Sequence, residues 1–503
     1  MRQLLFLCPK CAHCFSWLLE FGTILLVNPN SSNRKGAMVM RYSKFTVIML
    51  SLAMSLSASL ALAKDGAMPP APPSGAMPQG APPQGNPPQG MPPQGMPPQG
   101  QAGKSLSEFT AAQRITGTAQ TLANKSILAS GSDQNVVLAE QGADVTLDTV
   151  NLIKTGDTTS GDGSNFNGQN AVFLASQSKA KLNNVAITSQ AEGANAVFAT
   201  GKKADVTVKN TQIKTQGNSS RGLDATYGGT IHGEHVTIST AGAHCASLAT
   251  DRGEGNVYVT DSTLSTSGEG SPVIYSTGNI VLTNSTGVAK GSEIACVEGK
   301  NSIIVDNDVL TGCVSHGVML YQSFSGDAGT GTASFTARNS TLRNYSDGAM
   351  FYVTNTKAVA NLSNTVIEST KNPNLIEVTS DRWGNKGSNG GDFDFTASQQ
   401  ALQGNIVANS ISTVSVHLTD HSTWSGAMNP KHTAKTASLS LDATSVWDVT
   451  GKSYVSALTD DDRTMSNIHS NGYTIYYDKN NEANAWLHGK TVTLKDGGKV
   501  KPL

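Results

Sequence analysis

A polar residue followed three positions later by an apolar one recurs through the middle of this chain, as NVAI at Asn184, NTQI at Asn210, HVTI at His235 and DSTL at Asp261. NSTG at Asn284, NDVL at Asn307, NSTL at Asn339 and NTVI at Asn364 continue the series, with spacings of 26, 25, 26, 23, 23, 32 and 25 residues. Taken alone, VTVKNTQIKT (206–215) also reads as half of an isolated hairpin, with Asn210 and Thr211 in the turn. A hairpin needs one antiparallel partner nearby, whereas intervals this regular need a unit that the chain repeats. Each copy has the same surroundings. An alternating strand precedes the polar residue (204–208, 256–260, 333–337) and a second follows it. A third comes about ten residues later (171–175, 196–200, 272–276, 318–322, 350–354).

Three short strands in about 25 residues make one coil of a solenoid. A single coil cannot bury its own Val, Ile and Leu, but coils stacked ~4.8 Å apart bury a continuous apolar column. The bend between the first two strands needs a residue that tolerates the left-handed backbone region, which Asn and Asp do best. Stacked, these side chains are expected to form a buried hydrogen-bonded turn ladder through Asn184, Asn210, His235, Asp261, Asn284, Asn307, Asn339 and Asn364. His235 fits an amide ladder poorly, and Asn284 precedes Gly287, where the apolar residue is missing. The composition agrees with short strands and many turns: 50 glycines, 6% aromatic and 15% charged residues. With 36 basic against 37 acidic residues, the net charge of −1 makes no electrostatic case for nucleic acid or an anionic membrane as partner.

This periodicity resembles the right-handed parallel β-helix group, the pectin-lyase-like folds, over roughly 135–500. The expected architecture is therefore all-β, a right-handed parallel β-helix over 105–437 with a C-terminal β cap over 438–503. That last part, with LSLDATSVWDVTGKSYVSAL (439–458), HSNGYTIYY (469–477) and GKTVTL (489–494), is similar to the end of pertactin-like autotransporter passenger domains. Trp447, Thr450, Gly451 and Ser453 occupy the places of a Trp-containing strand and a closing turn. The resemblance implies that Trp447, Val455 and Ile475 pack over the final coil. No membrane β-barrel follows Leu503, so self-export is not expected, and a separate export partner is among the partners in view.

Ahead of the repeat, residues 40–63 read as a signal peptide: Arg41 and Lys44, an apolar run, and an Ala61-Leu62-Ala63 cleavage site. Residues 1–39 read as a mis-assigned upstream segment, because Arg34-Lys35-Gly36-Ala37 is compatible with a ribosome-binding sequence before Met40. Cys8, Cys11 and Cys14 lie in that segment, without a second ligand pair for a metal. Residues 64–104 are a Pro/Gly/Gln-rich linker with APPQG, NPPQG and MPPQG at period five, which excludes collagen. Cys245, Cys296 and Cys313 are too few for a disulfide framework and are expected to be buried free thiols.

Polysaccharide lyases and hydrolases use the fold this chain resembles, so catalysis has to be looked for residue by residue. Asp392 and Asp394 in GGDFDF stand at i and i+2, on one face of a strand, and are the best candidate carboxylate pair. No further motif of the pectin-degrading hydrolases accompanies them. GSNGGDFDF is one imperfect copy of a Ca²⁺-binding nonapeptide where such sites stack several, so no cofactor is assigned and Ca²⁺ is the only ion in view. His232, Glu234, His235 and His244 look metal-like, but strand and turn positions do not supply helical ligand spacing. They are expected to be solvent-facing.

The longest insertions, 156–169, 323–332 and 379–391, leave the edge of a solenoid where binding function often sits. Trp383, flanked by Asp381 and Arg382, is the candidate anchor for a sugar ring or a protein, the alternative being that its ring is tucked onto the column. The expected function is that of a secreted, adhesin-like protein binding a cell-surface glycan or protein without catalysis. The alternative is a polysaccharide lyase or glycoside hydrolase.

Overall fold

The structure, a computed structural model, describes residues 104–369 and 371–503. The upstream segment, the signal peptide, all of the linker but its last residue, and Cys8, Cys11 and Cys14 lie outside the described residues. The chain winds as a right-handed parallel β-solenoid of about 16 coils, each about 25 residues long. The stretch around Asn210 shows how a coil is made. Asp205–Lys209 alternates, with Val206 and Val208 turned inward. Asn210 then bends the chain, Gln212–Thr215 turns Ile213 inward, and Leu223–Thr226 closes the coil. These strands pair in parallel with the coils on either side: Val206 faces Ala180 and Ile231, Ile213 faces Ile187 and Ile238, Leu223 faces Val197 and Leu248. The hairpin reading is thereby excluded.

First and second strands join in one 22-stranded sheet, and the third strands form a 12-stranded sheet running in chain order from Thr110–Thr116 to Asn405–Ala408. Like residues stack inside. Phe351, Phe393 and Phe395 interlock, and the Trp424 and Trp447 rings lie 5.2 Å apart and nearly parallel. Their indole N–H groups reach the carbonyls of Gly404 and Gly426, at 2.8 and 3.0 Å, so neither polar atom is orphaned. Gly287 also finds its reason. A Cβ there would sit 2.7 Å from Val273 Cγ1 and 2.8 Å from Leu310 Cδ2, so neighbours already fill the missing side chain's space.

All eight bend residues of the series have positive φ, between 48° and 58°. Asn124, Thr149, Gln399 and Asp420 extend the column. The expected buried ladder is corrected on two counts. Direct amide pairs join only Asn284 to Asn307 (2.8 Å) and Asn339 to Asn364 (2.9 Å), whereas Asn210 donates to Asn183 and Asn184 to Asp148. These bonds are also exposed. The buried ladder runs one residue later, where the N–H groups of Val236 and Ser262 donate to Ser262 and Ser285 Oγ, both at 3.0 Å. The N–H of Ser285 donates to Asp308 Oδ1 at 2.7 Å, and that of Asp308 to Ser340 Oγ at 3.1 Å. The physical reason is position: the bend residue projects outward, and its successor returns to the interior.

Asp308 is the misfit in that ladder, a 1% exposed carboxylate among hydroxyls. Burial pushes its pKa up to about 7. Because the folded value exceeds the unfolded one, its contribution to stability is complete below about pH 4 and is lost as pH rises through about 7. Asp308→Ser, which installs the neighbouring coils' residue, should therefore stabilise by about 1–3 kcal/mol at pH 8 and not at pH 4. Denaturant titrations at both pH values check this; an equal effect at both would mean that the carboxylate is not titrating.

The two ends of the column are finished differently. In the first coil Gln113, Gln120 and Lys125 take the register positions of Val137, Val145 and Val150, so polar groups stand where the next layer would dock. At the other end Trp447, Val455 and Ile475 lie inside coils, Trp447 between Trp424 and Ile468 and Ile475 between Ser453 and Val500. Contrary to the expectation from the resemblance, they do not pack over the last coil. The chain ends in the 3₁₀ helix Glu482–Leu487 and the antiparallel pair Val492–Thr493 and Lys499–Pro502, with Leu487 and Leu494 buried.

Candidate functional site

Several third strands differ from the others because both their faces are covered: all residues of Phe173–Ser176, Leu223–Thr226, Ala295–Glu298 and Phe351–Thr354 are buried. Their outward residues stack in register as Leu138, Leu174, Phe198, Asp224, Ala249, Tyr275, Cys296, Met319, Tyr352 and Glu377. The first three are apolar and pack with Phe109 and Ala171 into a small second core. From Asp224 onward the column becomes ionisable. The Arg221 guanidinium lies 3.3 Å from Asp224 and 3.0 Å from Asp251, and donates to Asn165 Oδ1 at 3.0 Å. Burial pushes Asp224 up to about 6 and Asp251 up to about 8, against the pull of the Arg221 charge.

Two coils on, the buried Glu298 carboxylate accepts hydrogen bonds from Tyr275 (2.7 Å), Tyr321 (3.0 Å) and the hydroxyl of Ser323. Burial and that carboxylate push both phenols well above their usual range, so they act as donors. Two insertions cover this strip. One carries the short helix Gly161–Asn167, whose Ser160 hydroxyl caps Gly163 N–H. The other is the segment 322–331. Arg252 touches both: its guanidinium lies 3.8 Å over the Phe166 ring and 2.6 Å from Asp327.

Trp383 sits at the far end of the strip, half-buried. Its ring lies 5.7 Å from Tyr321 and 6.5 Å from Phe324, with the Arg382 guanidinium 4.6 Å over it. Phe324 itself is 46% exposed. Asn389 donates to the carbonyls of Asp381 and Trp383, both at 2.7 Å, and fixes the loop. Tyr352 donates to Asp381 Oδ2 at 3.1 Å and stacks on His316 at 3.9 Å. Burial pushes His316 down to about 4, which leaves its ring neutral at physiological pH. Asp381, Arg382 and Trp383 are thus brought together with Tyr321, Phe324 and Tyr352, which sequence reasoning missed. The alternation in VMLYQ and MFYVT already turns Tyr321 and Tyr352 outward, and that signal was available.

The other candidates stand elsewhere. Asp392 and Asp394 share the open outer face of their strand, both exposed. Asp394 lies 3.4 Å from His417 Nε2, and His417 Nδ1 lies 2.8 Å from Ser440 Oγ. This Ser–His–Asp chain crosses an open sheet whose strands pair with those of neighbouring coils. His232 stacks on Tyr258, Glu234 pairs with Lys209, and His235 and His244 occupy bends. Among the described residues no three His, Cys, Asp or Glu side chains are grouped to hold a metal ion. Cys245 and Cys296 are buried free thiols, whereas Cys313, expected to be buried with them, is half-buried. No family model, curated protein or solved structure matches this chain.

Proposed function

We propose that this is an exported binding protein whose ligand, a cell-surface glycan, seats on the surface formed by Tyr321, Phe324, Arg382 and Trp383. One observation carries the reading. A third strand and two insertions place three aromatic rings and a guanidinium side by side, with Phe324 open to solvent. Ring faces and edges pack against the C–H groups of a sugar, and the guanidinium donates to its hydroxyls. Such rigid aromatic anchors carry most of a small interface's binding energy. Among the described residues no helix is long and apolar enough to cross a membrane.

Trp383→Ala should weaken binding to glycan arrays and to whole cells by about 10- to 100-fold, or about 1.5–3 kcal/mol, with the circular dichroism unchanged. Binding that survives this change, or that moves to a deglycosylated protein receptor, would sink the glycan reading. Polysaccharide cleavage abolished by Asp392→Ala would replace it with the enzymatic one.

A further inference from the structure

One column of outward residues on the third strands is covered in two chemically different ways. Over Leu138, Leu174 and Phe198 the cover is apolar and self-sufficient. Over the coils that follow, Arg221, Asp224, Asp251 and Glu298 are buried instead, at a desolvation cost that an apolar filling avoids. The network is also incomplete: Asp224 is wholly buried and its Oδ1 has no hydrogen-bond partner. A permanently covered strip gains nothing from such residues. A strip that opens to a polar ligand does.

We propose that the strip from Asp224 to Tyr321 is a binding groove for an oligosaccharide without acidic groups, closed here by the two insertions acting as a lid with Arg252 as its clasp. The lid's parts come from distant segments and meet at that one side chain, which stacks on Phe166 of one insertion and pairs with Asp327 of the other. The charge of the groove selects the ligand. Asp224 and Asp251 face a single guanidinium, Arg221, because Arg252 is already committed to Asp327. Surplus acceptors suit the hydroxyl and amide N–H donors of a neutral sugar and repel uronates or sulfates. Tyr275 and Tyr321, both half-buried, set rings along the way to Trp383. The inference rests on the glycan reading of the Trp383 surface, which adjoins the groove through Tyr321.

The test uses the full chain carrying Arg252→Ala or the nearly isosteric Asp327→Asn, each checked for unchanged circular dichroism and melting temperature. Cys296 reports opening without any ligand, since it lies between Tyr275 and Met319 in the column and is 7% exposed. Its alkylation rate, read on the Cys296 peptide by mass spectrometry, should rise at least about 10-fold in both variants as the open population grows. Chitohexaose and cellohexaose, titrated calorimetrically, should bind at least about 5-fold tighter to both variants than to the wild type. Polygalacturonate and heparin should gain nothing. An unchanged alkylation rate in Asp327→Asn overturns the clasp. Faster alkylation without a gain for the neutral hexaoses, or with a gain for the polyanions, overturns the groove. If Trp383→Ala abolishes wild-type binding while the clasp variants gain nothing, the surface reading stands and this inference alone fails.

Discussion

Arg221→Ala should destabilise the fold by about 3–5 kcal/mol at pH 8, the largest expected effect of any single substitution in the column. The side chain is the only cation between two buried carboxylates, at 3.3 and 3.0 Å. Removing it leaves Asp224 and Asp251 facing each other in a medium that does not solvate them. The pH dependence identifies the cause. Burial already raises both folded pKa values above the ordinary carboxylate, to about 6 and about 8. The contribution of these two groups to stability is therefore complete below about pH 4 and falls away as pH rises through those values. Without Arg221 both values move higher still, so at pH 5 both carboxyls are neutral and the deficit should shrink to that of a lost side chain. Guanidinium titrations at pH 5 and pH 8 read this directly. An equal deficit at both would assign the loss to packing.

Removing residues 438–503 should be worse than any substitution. The strand Thr436–Leu441 continues the long sheet, paired on one side with Thr413–Thr419 and on the other with Ala457–Asp460. Cutting after Ala437 uncovers Trp424, Val416 and Leu418, all buried in the intact column, and leaves their strands with free edges. Unlike the first coil, this new end has no Gln or Lys at its inward positions to discourage docking. The truncated chain should pellet or be degraded on expression, as sedimentation and limited proteolysis would show. A soluble monomer with undiminished β signal would mean that 438–503 is a separate module.

How much of this was legible depends on whether the physics is local. A left-handed bend is a one-residue requirement, so Asn184, Asn210, Asp261, Asn307, Asn339 and Asn364 announce themselves. Thr149 and Gln399 adopt the same backbone without being the residue types that favour it. Asp420 was hidden by a two-residue bend, because His421 also has positive φ and shifts the apolar position by one. Strand alternation told inward from outward on the first and second strands, and on third strands such as VMLYQ. It could not tell what lies over an outward residue, and on the third strands that is the whole question. Phe198 and Asp224 are register neighbours, one covered by Phe109's small core and one by Arg221.

The site was half legible for the same reason. Loop length pointed to 156–169, 323–332 and 379–391, and composition picked out Trp383. The meeting of Arg252 with Asp327 joins residues 75 apart, and no local pattern encodes it. Asp392 and Asp394 show the converse: a sound i, i+2 argument places two carboxylates on one face, and the face is open sheet.

Ligand recognition is proposed to belong to the outer face of the third strands and to the insertions that cover it. Hydrogen exchange followed by mass spectrometry, on the full chain with and without a bound neutral oligosaccharide, tests this most directly. Protection should concentrate in the peptides spanning 316–331 and 379–391, with little change on the opposite strands around Asp394, His417 and Ser440. Protection confined to those opposite strands, or spread evenly along the column, would contradict it.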